Sequence, residues 1–430
     1  MKLRLFIAAV AALLATGCAD KSMTLEERLA TIQADTLFRI EADTMFSEAW
    51  EIRLWQPVDH RNPDGPRFSQ QVFLYFAGPD RPVIVETEGY GARGGRNELA
   101  SLMKANLIRI EHRYFEESRP DSAGWEYLTT WQAATDHHRI IELFKPVFSG
   151  RWATTGISKG GQTVMFHRYY YPDDVDVSVP YVAPLNFGPE DERMKPFLES
   201  VGTDECRERV FRFQKMALEK FDQLFPLFLK YAEEREWTFN RIGGPETAYE
   251  MTVLEYEFAF WQWGSVPCDS IPMDGSDEKI FRHLASLGDP RYFADQGLEY
   301  FEPFFYQAMT EIGYYGYDFD RFEGLLKHAR NLEQPEFQFS APQGPEYVYD
   351  YEFGQKVAEF IREEAGHFIF LYGEYDPWSA TAADPGDNEN CLKVVKEGGA
   401  HSTRIRNLPD ESREEVISLL EEWLETPASR

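Results

Sequence analysis

Residues 151–161 read Arg-Trp-Ala-Thr-Thr-Gly-Ile-Ser-Lys-Gly-Gly, which is the pattern of a short buried strand, a sharp turn and the start of a helix. Gly156, Ser158 and Gly160 match G-x-S-x-G, which is typical of a nucleophile elbow that lifts a serine hydroxyl clear of a sheet. Glycines are needed there because side chains would clash across the turn and block approach to the hydroxyl. The pentapeptide alone is a weak signal, but the strand and helix predicted around it make Ser158 a candidate nucleophile.

The elements predicted around this stretch indicate a mostly parallel sheet covered by helices. Residues 50–57 and 68–76 alternate apolar and polar side chains on either side of the turn signal Asn62-Pro-Asp-Gly65, and they predict an antiparallel opening pair. Further strands are predicted at 82–86, 107–111, 152–155 and 175–182, and helices at 97–105, 130–144 and 160–172. Such alternation predicts an α/β fold whose parallel sheet has helices on its faces.

The strand pattern fades in the middle of the chain. Between 189 and 365, helical stretches rich in aromatic residues, such as 206–234 and 247–261, predict an inserted helical lid. Sheet order resumes after the lid, with strands at 367–372 and 391–395 and a final helix at 411–424. The predicted division is a signal segment (1–17), a tether with a first helix (18–45), an α/β-hydrolase domain in two parts (46–188 and 366–430), and the lid (189–365).

A serine hydroxyl is a weak nucleophile at neutral pH and needs a base, which a carboxylate orients. In the α/β-hydrolase fold these groups follow in the order serine, acid, histidine, each after a strand. Asp376 follows the first strand after the lid, and His401 follows the next strand. Either residue alone is more typical of a turn or loop, but their order predicts a catalytic triad with Ser158. Glu374 is a competing acid, and Asp376 is preferred because it lies further past the strand end.

The tetrahedral intermediate of acyl transfer needs hydrogen-bond donors for its oxyanion. We expect one of them to be the backbone N–H of Lys159, at the start of the elbow helix. The other is expected from the loop after strand 82–86, from Gly89 or Tyr90. The side chain of Lys159 is expected to face solvent.

The chain has 430 residues and a formal net charge of −29, which disfavours nucleic acid and anionic membrane surfaces as partners. A cationic ligand, such as the amino terminus of a peptide, would be attracted. The alternative is that the charge serves only the solubility of an extracytoplasmic protein.

The N-terminus has the pattern of a secretion signal. Lys2 and Arg4 precede an apolar run, 5–15, that is too short to span a bilayer. The segment Ala15-Thr-Gly-Cys18 resembles a bacterial lipoprotein signal with cleavage before Cys18 and lipid on its sulfur. Ala15 is unusual at its position, so ordinary secretion stays open. We expect an extracytoplasmic protein, in the periplasm or at the cell surface, that contacts a membrane only through this anchor.

Three further cysteines follow: Cys206, Cys268 and Cys391. Outside the cytoplasm a disulfide between Cys206 and Cys268 is plausible, since both lie in the same middle region, and one cysteine stays free. The sequence contains neither C-x-x-C nor H-E-x-x-H. We therefore expect no zinc site, no other metal and no cofactor.

Four segments carry a resemblance to a known family: Glu86-Thr-Glu-Gly-Tyr90, Glu111-His-Arg-Tyr-Phe115 with Ser118-Arg-Pro120, Thr155-Gly-Ile-Ser-Lys-Gly-Gly161 and Tyr181-Val-Ala-Pro184. Together they resemble the secreted bacterial tripeptidyl-aminopeptidase family of serine peptidases, which is related to prolyl carboxypeptidases and dipeptidyl peptidases with a helical lid. The similarity runs from about residue 50 to the C-terminus. It implies release of short peptides from free N-termini, with Ser158, Asp376 and His401 as the triad.

An enzyme of this kind must bind a substrate ammonium group at a fixed distance from the scissile bond. Buried carboxylates supported by aromatic rings suit that task. The candidates are Glu257, Glu311 and, with a weaker pattern, Glu88; Glu311 lies in a segment that resembles the lid of the dipeptidyl-peptidase relatives. The alternative is that Glu257 and Glu311 face solvent on amphipathic helices.

Two other functions stay open at this point. One is a prolyl-type carboxypeptidase or an esterase on the same scaffold, although a carboxypeptidase needs a cation and the chosen lid segments offer carboxylates. The other is a non-catalytic lipoprotein that binds peptides or glycans, which an intact triad disfavours. The length of the released peptide, the side-chain preference and the oligomeric state do not follow from the sequence.

Overall fold

The computed structural model describes residues 23–32, 34–121, 123–264, 266–332 and 337–428, which contain one nine-stranded sheet. The predicted signal segment 1–17 and Cys18 lie outside the described residues. The strands are β1 (Ala34–Ile40), β2 (Glu48–Pro57), β3 (Arg67–Phe76), β4 (Val83–Thr87), β5 (Asn106–Ile110), β6 (Trp152–Ile157), β7 (Val177–Tyr181), β8 (Phe368–Gly373) and β9 (Cys391–Lys396).

The sheet has the spatial order β1-β2-β3-β5-β4-β6-β7-β8-β9. The contacts β1–β2, β2–β3 and β3–β5 are antiparallel, and every later pair of neighbours is parallel. Both the antiparallel opening pair and the parallel sheet after it are therefore confirmed. Because the carboxyl ends of parallel strands meet at one edge, the loops after β4, β6, β8 and β9 converge there.

Helices follow most of the strands: α1 (Leu25–Leu29), α2 (Glu98–Met103), α3 (Thr130–Phe144), α4 (Lys159–Tyr170), α5 (Met194–Leu198), α6 (Asp204–Glu219), α7 (Phe221–Glu233), α8 (Pro245–Trp263), α9 (Asp277–Gly288), α10 (Asp295–Gln307), α11 (Phe353–Glu363) and α12 (Asp410–Trp423). Every residue of β4, β5, β7 and β8 is buried, and these strands are accordingly rich in apolar side chains. The mostly parallel sheet with helices is an α/β-hydrolase fold, as predicted.

The described residues between β7 and β8 form helices and loops, α5 to α11, where the sequence predicted a helical insertion. The helical stretch predicted at 206–234 is two helices, α6 and α7, which meet at Lys220. A disulfide joins Cys206 of α6 to Cys268, and Cys391 is a free thiol. Within the described chain, no helix has both the length and the apolar character that crossing a membrane requires.

One strand was not predicted. Residues 18–45 were interpreted as a tether with a helix, but they contribute strand β1 as well as α1. β1 is an edge strand that pairs only with β2, and none of its side chains is fully buried. A strand of this kind lacks the sharp alternation of buried and exposed residues on which its prediction depends.

Candidate active site

The turn between β6 and α4 has the geometry of a nucleophile elbow. Ser158 adopts φ 56° and ψ −122°, a strained conformation for a residue with a side chain. A Cβ atom on Gly160 would lie 2.6 Å from the carbonyl oxygen of Thr87, and one on Gly156 would collide with the carbonyl of Gly160. Both glycines are therefore required by close backbone approach, and the turn places Ser158 at the carboxyl edge of the sheet.

The predicted acid and base are in contact. Nδ1 of His401 lies 2.7 Å from Oδ2 of Asp376, and both side chains are buried. Oδ1 of Asp376 accepts a hydrogen bond from the backbone N–H of Trp378 at 3.2 Å, which fixes the carboxylate. Because Nδ1 faces Asp376, Nε2 is the ring nitrogen that is left for proton transfer. Glu374 is exposed and accepts from the N–H of Gly398, so it is not the partner of the histidine.

Ser158 and His401 line the same cavity of about 590 Å³. The backbone N–H of His401 donates to the carbonyl of Gln262 at 2.8 Å. The ring of Trp263 stands edge-on to the histidine ring at 5.8 Å between centroids. The C-terminal end of α8 thus holds the loop that carries the candidate base.

The predicted oxyanion loop lies against the elbow. A Cβ atom on Gly89 would be 2.7 Å from the backbone nitrogen of Gly160, so the loop touches the N-terminus of α4. The N–H of Glu88 donates to Ile110, but in the described part of the chain no hydrogen bond uses the amides of Gly89 and Tyr90. The first amides of a helix have no intrahelical acceptors. Backbone donors from both elements are therefore available next to Ser158.

The expectation that the Lys159 side chain faces solvent is wrong. The residue is 3% exposed, and its Nζ donates a hydrogen bond of 2.7 Å to the carbonyl of Gly89. Nζ also lies over the rings of Tyr90 and Phe115, at 5.7 and 5.6 Å from their centroids. Burial holds the pKa of this amine well below its usual range. The first helical turn packs under the loop, which a prediction from helix position alone cannot show.

Carboxylates line the Ser158 cavity, and of the three predicted candidates Glu88 is the one that lies among them. Glu255, which was not predicted, is 7% exposed, accepts a hydrogen bond from the Tyr315 hydroxyl at 2.7 Å, and accepts another from Tyr317. Burial raises the pKa of Glu255 to about 7. Glu88 also lines the cavity, and its carboxylate lies 3.4 Å from Nε of Arg109. Burial and the neighbouring Glu86 raise the pKa of Glu88 to about 7.

The other two candidates lie elsewhere. Glu257 does not line the Ser158 cavity but a separate cavity of about 400 Å³, where its oxygens bind Arg321 at 2.8 and 3.0 Å. Glu311 is also absent from the cavity wall, and it accepts a hydrogen bond of 2.7 Å from the N–H of Thr130 in the first turn of α3. Burial raises the pKa of the Glu311 carboxyl to about 7. The structure thus gives Glu257 an ion pair and Glu311 a helix-capping contact.

Aromatic rings form much of the cavity wall, together with a third carboxylate, Asp289, and two cations, Arg291 and Arg404. The rings belong to Tyr90, Phe258, Trp263, Tyr292, Phe301, Phe304, Tyr314, Tyr315 and Trp378. Such walls suit a compact apolar residue of a substrate, and the carboxylates among them suit a cation. Among the residues with described placement, no group of three or more His, Cys, Asp or Glu is arranged to hold a metal ion.

The sheet, the elbow and the aspartate–histidine pair define a hydrolase of the α/β-hydrolase fold. A family model, PS-10 peptidase S37, matches residues 18–426, so the chain belongs to that family and is a serine peptidase. The chain is 32% identical to a prolyl tri/tetrapeptidyl aminopeptidase of Streptomyces mobaraensis over 376 residues, which is 86% of this chain and 78% of that protein. These findings confirm the resemblance that the four sequence segments indicated.

More distant relatives share shorter regions or only the fold. A lysosomal Pro-X carboxypeptidase of Bos taurus is 33% identical over 99 residues, which is 20% of each chain. The solved structure of a proline iminopeptidase from Mycobacterium smegmatis has a TM-score of 0.39 and 14% identity, and it covers 86% of this chain and 98% of that one.

Proposed function

We propose that this serine peptidase is an exopeptidase that removes short peptides, mainly tripeptides, from the free N-termini of oligopeptides. The observation that carries the proposal is the buried carboxylate of Glu255 in the cavity that also contains Ser158 and His401. A carboxylate among aromatic rings binds an ammonium group, and its fixed distance from the serine then selects the bond that is cleaved.

The chemistry follows from the positions of the side chains. Nε2 of His401 takes the proton of the Ser158 hydroxyl while the oxygen attacks the scissile carbonyl, and Asp376 stabilises the imidazolium. The N–H groups of Lys159 and of the Gly89–Tyr90 loop stabilise the oxyanion. The imidazolium then protonates the leaving amine, and an acyl-enzyme remains. Water, deprotonated by the same histidine, hydrolyses the ester and releases the N-terminal peptide.

Helix α8 joins the proposed amine site to the loop that carries the candidate base. Glu255 lies seven residues before Gln262, whose carbonyl accepts a hydrogen bond from the backbone N–H of His401. Seven residues correspond to about 10 Å of helix. Three residues of an extended peptide span about 10 Å and two span about 7 Å. The separation of these two residues along α8 is therefore similar to the length of a tripeptide, which is why we propose tripeptides as the main product.

The residue before the cleaved bond would lie among the aromatic rings of the cavity. Rings such as Tyr90, Phe304 and Trp378 suit a compact apolar ring, and proline has that shape. The Streptomyces relative is named a prolyl tri/tetrapeptidyl aminopeptidase. We include a preference for proline at this position in the proposal.

We also propose that the helices between β7 and β8 act as a lid and that the protein works outside the cytoplasm. The lid contributes α8 and the rings of α10 to the cavity wall, so an extended peptide could enter where a folded protein could not. The Cys206–Cys268 disulfide and the lipoprotein-like signal before Cys18 support an extracytoplasmic, lipid-anchored or secreted protein.

A second candidate is carboxypeptidase activity, which Arg291 favours because a cation in the cavity wall could bind a C-terminal carboxylate. Both activities are tested with a set of proline-containing hexapeptides in four forms, with free or acetylated N-termini and free or amidated C-termini. The proposed function predicts that acetylation abolishes cleavage and that amidation has little effect. The reverse result would establish the carboxypeptidase instead.

A further inference from the structure

Lys159 directly follows the candidate nucleophile, and its side chain takes no part in the proposed acyl transfer. Lysine is seldom buried unless it is paired with an acid. Among the described residues no carboxylate lies within ion-pair distance of its Nζ, which donates a hydrogen bond of 2.7 Å to the carbonyl of Gly89. A buried amine without an ionic partner is costly, so a function of this contact would account for its presence.

The contact fixes a peptide group of the oxyanion loop. The carbonyl of Gly89 and the N–H of Tyr90 belong to one planar peptide unit and point in opposite directions. Holding the oxygen therefore sets the direction of the N–H. The carbonyl of Tyr90 is held in turn by the N–H of His112 at 3.1 Å. The loop has glycines at 89 and 91, which without such contacts would give it wide backbone freedom.

We propose that the Lys159 side chain is a positioning residue that holds the Gly89–Tyr90 peptide group so that the N–H of Tyr90 points at the oxyanion. The backbone N–H of the same lysine is the other donor, so one residue sets the spacing of both. The rings of Tyr90 and Phe115 pack against each other and cover the same side of Nζ, at 5.7 and 5.6 Å from their centroids. The residue is only 3% exposed, so water has little access to the contact. This inference rests on the acyl-transfer chemistry proposed for Ser158.

The test compares Lys159→Met, which keeps the length of the side chain and removes its donor, with Lys159→Arg, which keeps a donor. Thr163→Val is the matched control, because it removes a side-chain hydrogen bond of 2.9 Å to the backbone carbonyl of Lys159 in the same helical turn. Loss of one oxyanion donor typically costs about 10²–10³ in kcat, and misdirecting a donor should cost less. We expect Lys159→Met to lower kcat about 10- to 100-fold with KM changed less than about threefold.

Binding of two ligands separates positioning from a general structural role. A peptide aldehyde forms a tetrahedral adduct whose oxygen needs the oxyanion donors, whereas the product tripeptide does not. Lys159→Met should weaken inhibition by the aldehyde in proportion to the loss of kcat and leave inhibition by the product unchanged. Lys159→Arg should restore part of both losses, and Thr163→Val should show neither. Equal weakening of both ligands, or full activity of Lys159→Met, would overturn the proposal.

The same variants are assayed on an activated acyl ester, whose hydrolysis requires the serine and the oxyanion donors but no N-terminal recognition. If the wild-type protein hydrolyses the ester and cleaves no peptide, the exopeptidase proposal fails while the role of Lys159 is still measured. If peptides are cleaved and Lys159→Met hydrolyses the ester at the wild-type rate, the positioning role fails and the exopeptidase stands.

Discussion

At the scale of single residues, Glu255 and Glu257 show how little separates a site residue from its neighbour. Glu255 and Glu257 are two residues apart on one helix. Their side chains therefore differ by about 200° around the helix axis and cannot face the same cavity. Phe258, Ala259 and Gln262 follow Glu255 at helical spacing and line the cavity with it. The helical spacing of these residues could have shown that they share a face with Glu255. The sequence alone does not show which face of α8 lines the cavity that contains Ser158.

Glu255→Gln tests the proposed amine site. An amide keeps the shape and loses the charge, and a hydrogen bond with a charged partner contributes about 1.5–3 kcal/mol. We expect kcat/KM for peptides with free N-termini to fall about 10- to 100-fold, mostly through KM. Glu257→Gln is the matched control on the same helix, and it should change kcat/KM less than about threefold. An equal loss in both variants would mean that α8 was disturbed and that no amine site had been removed.

The raised pKa of Glu255 predicts a dependence of substrate binding on pH. With a pKa of about 7, this carboxyl is charged above pH 7 and attracts the ammonium group, and it becomes protonated and loses that attraction below. The substrate amine itself loses its proton above about pH 8. The ratio of kcat/KM between a peptide and an acyl ester should therefore rise up to about pH 7, stay high to about pH 8 and then fall. A ratio independent of pH, or one unaltered by Glu255→Gln, would contradict this.

At the scale of elements, the elbow and the parallel strands could be predicted because each depends on local sequence. Strands buried on both faces are rich in apolar residues, and the elbow needs glycines at fixed positions. Edge strand β1 and the burial of Lys159 depend on contacts between segments far apart in the chain, such as the loop after β4 against the elbow. No pattern within the segment itself reports such contacts.

We expect the disulfide between Cys206 and Cys268 to stabilise the helices that it joins. It closes a stretch of 62 residues that contains α6, α7 and α8, and the chain-entropy relation for such a loop gives about 4 kcal/mol of stabilisation. Replacing both Cys206 and Cys268 by serine should lower the midpoint of thermal unfolding by several degrees. Cys391→Ser is the control, because this free thiol closes no loop. Equal midpoints for the double variant and the wild-type protein would show that the bridge does not form in the mature protein.

At the scale of the whole molecule, the site is assembled from both halves of the sheet domain and from the insertion. Ser158 comes from the first part, Asp376 and His401 from the second, and Glu255 from the helices between them. The order of strands could be anticipated from the sequence, and with it the convergence of the triad. The position of the insertion over the sheet edge could not, because it depends on packing among aromatic side chains from many helices. The carboxylates of the cavity were therefore the least predictable part of the site.

The most direct test is mass spectrometry of the products from unmodified peptides of mixed sequence incubated with the mature protein, with Ser158→Ala as the control. We expect N-terminal tripeptides, enriched in proline at the third position, that appear only with the intact serine. Products shortened from the C-terminus, internal cleavage, or N-terminal products of random length would contradict a carboxylate at a fixed distance from the serine as the basis of specificity.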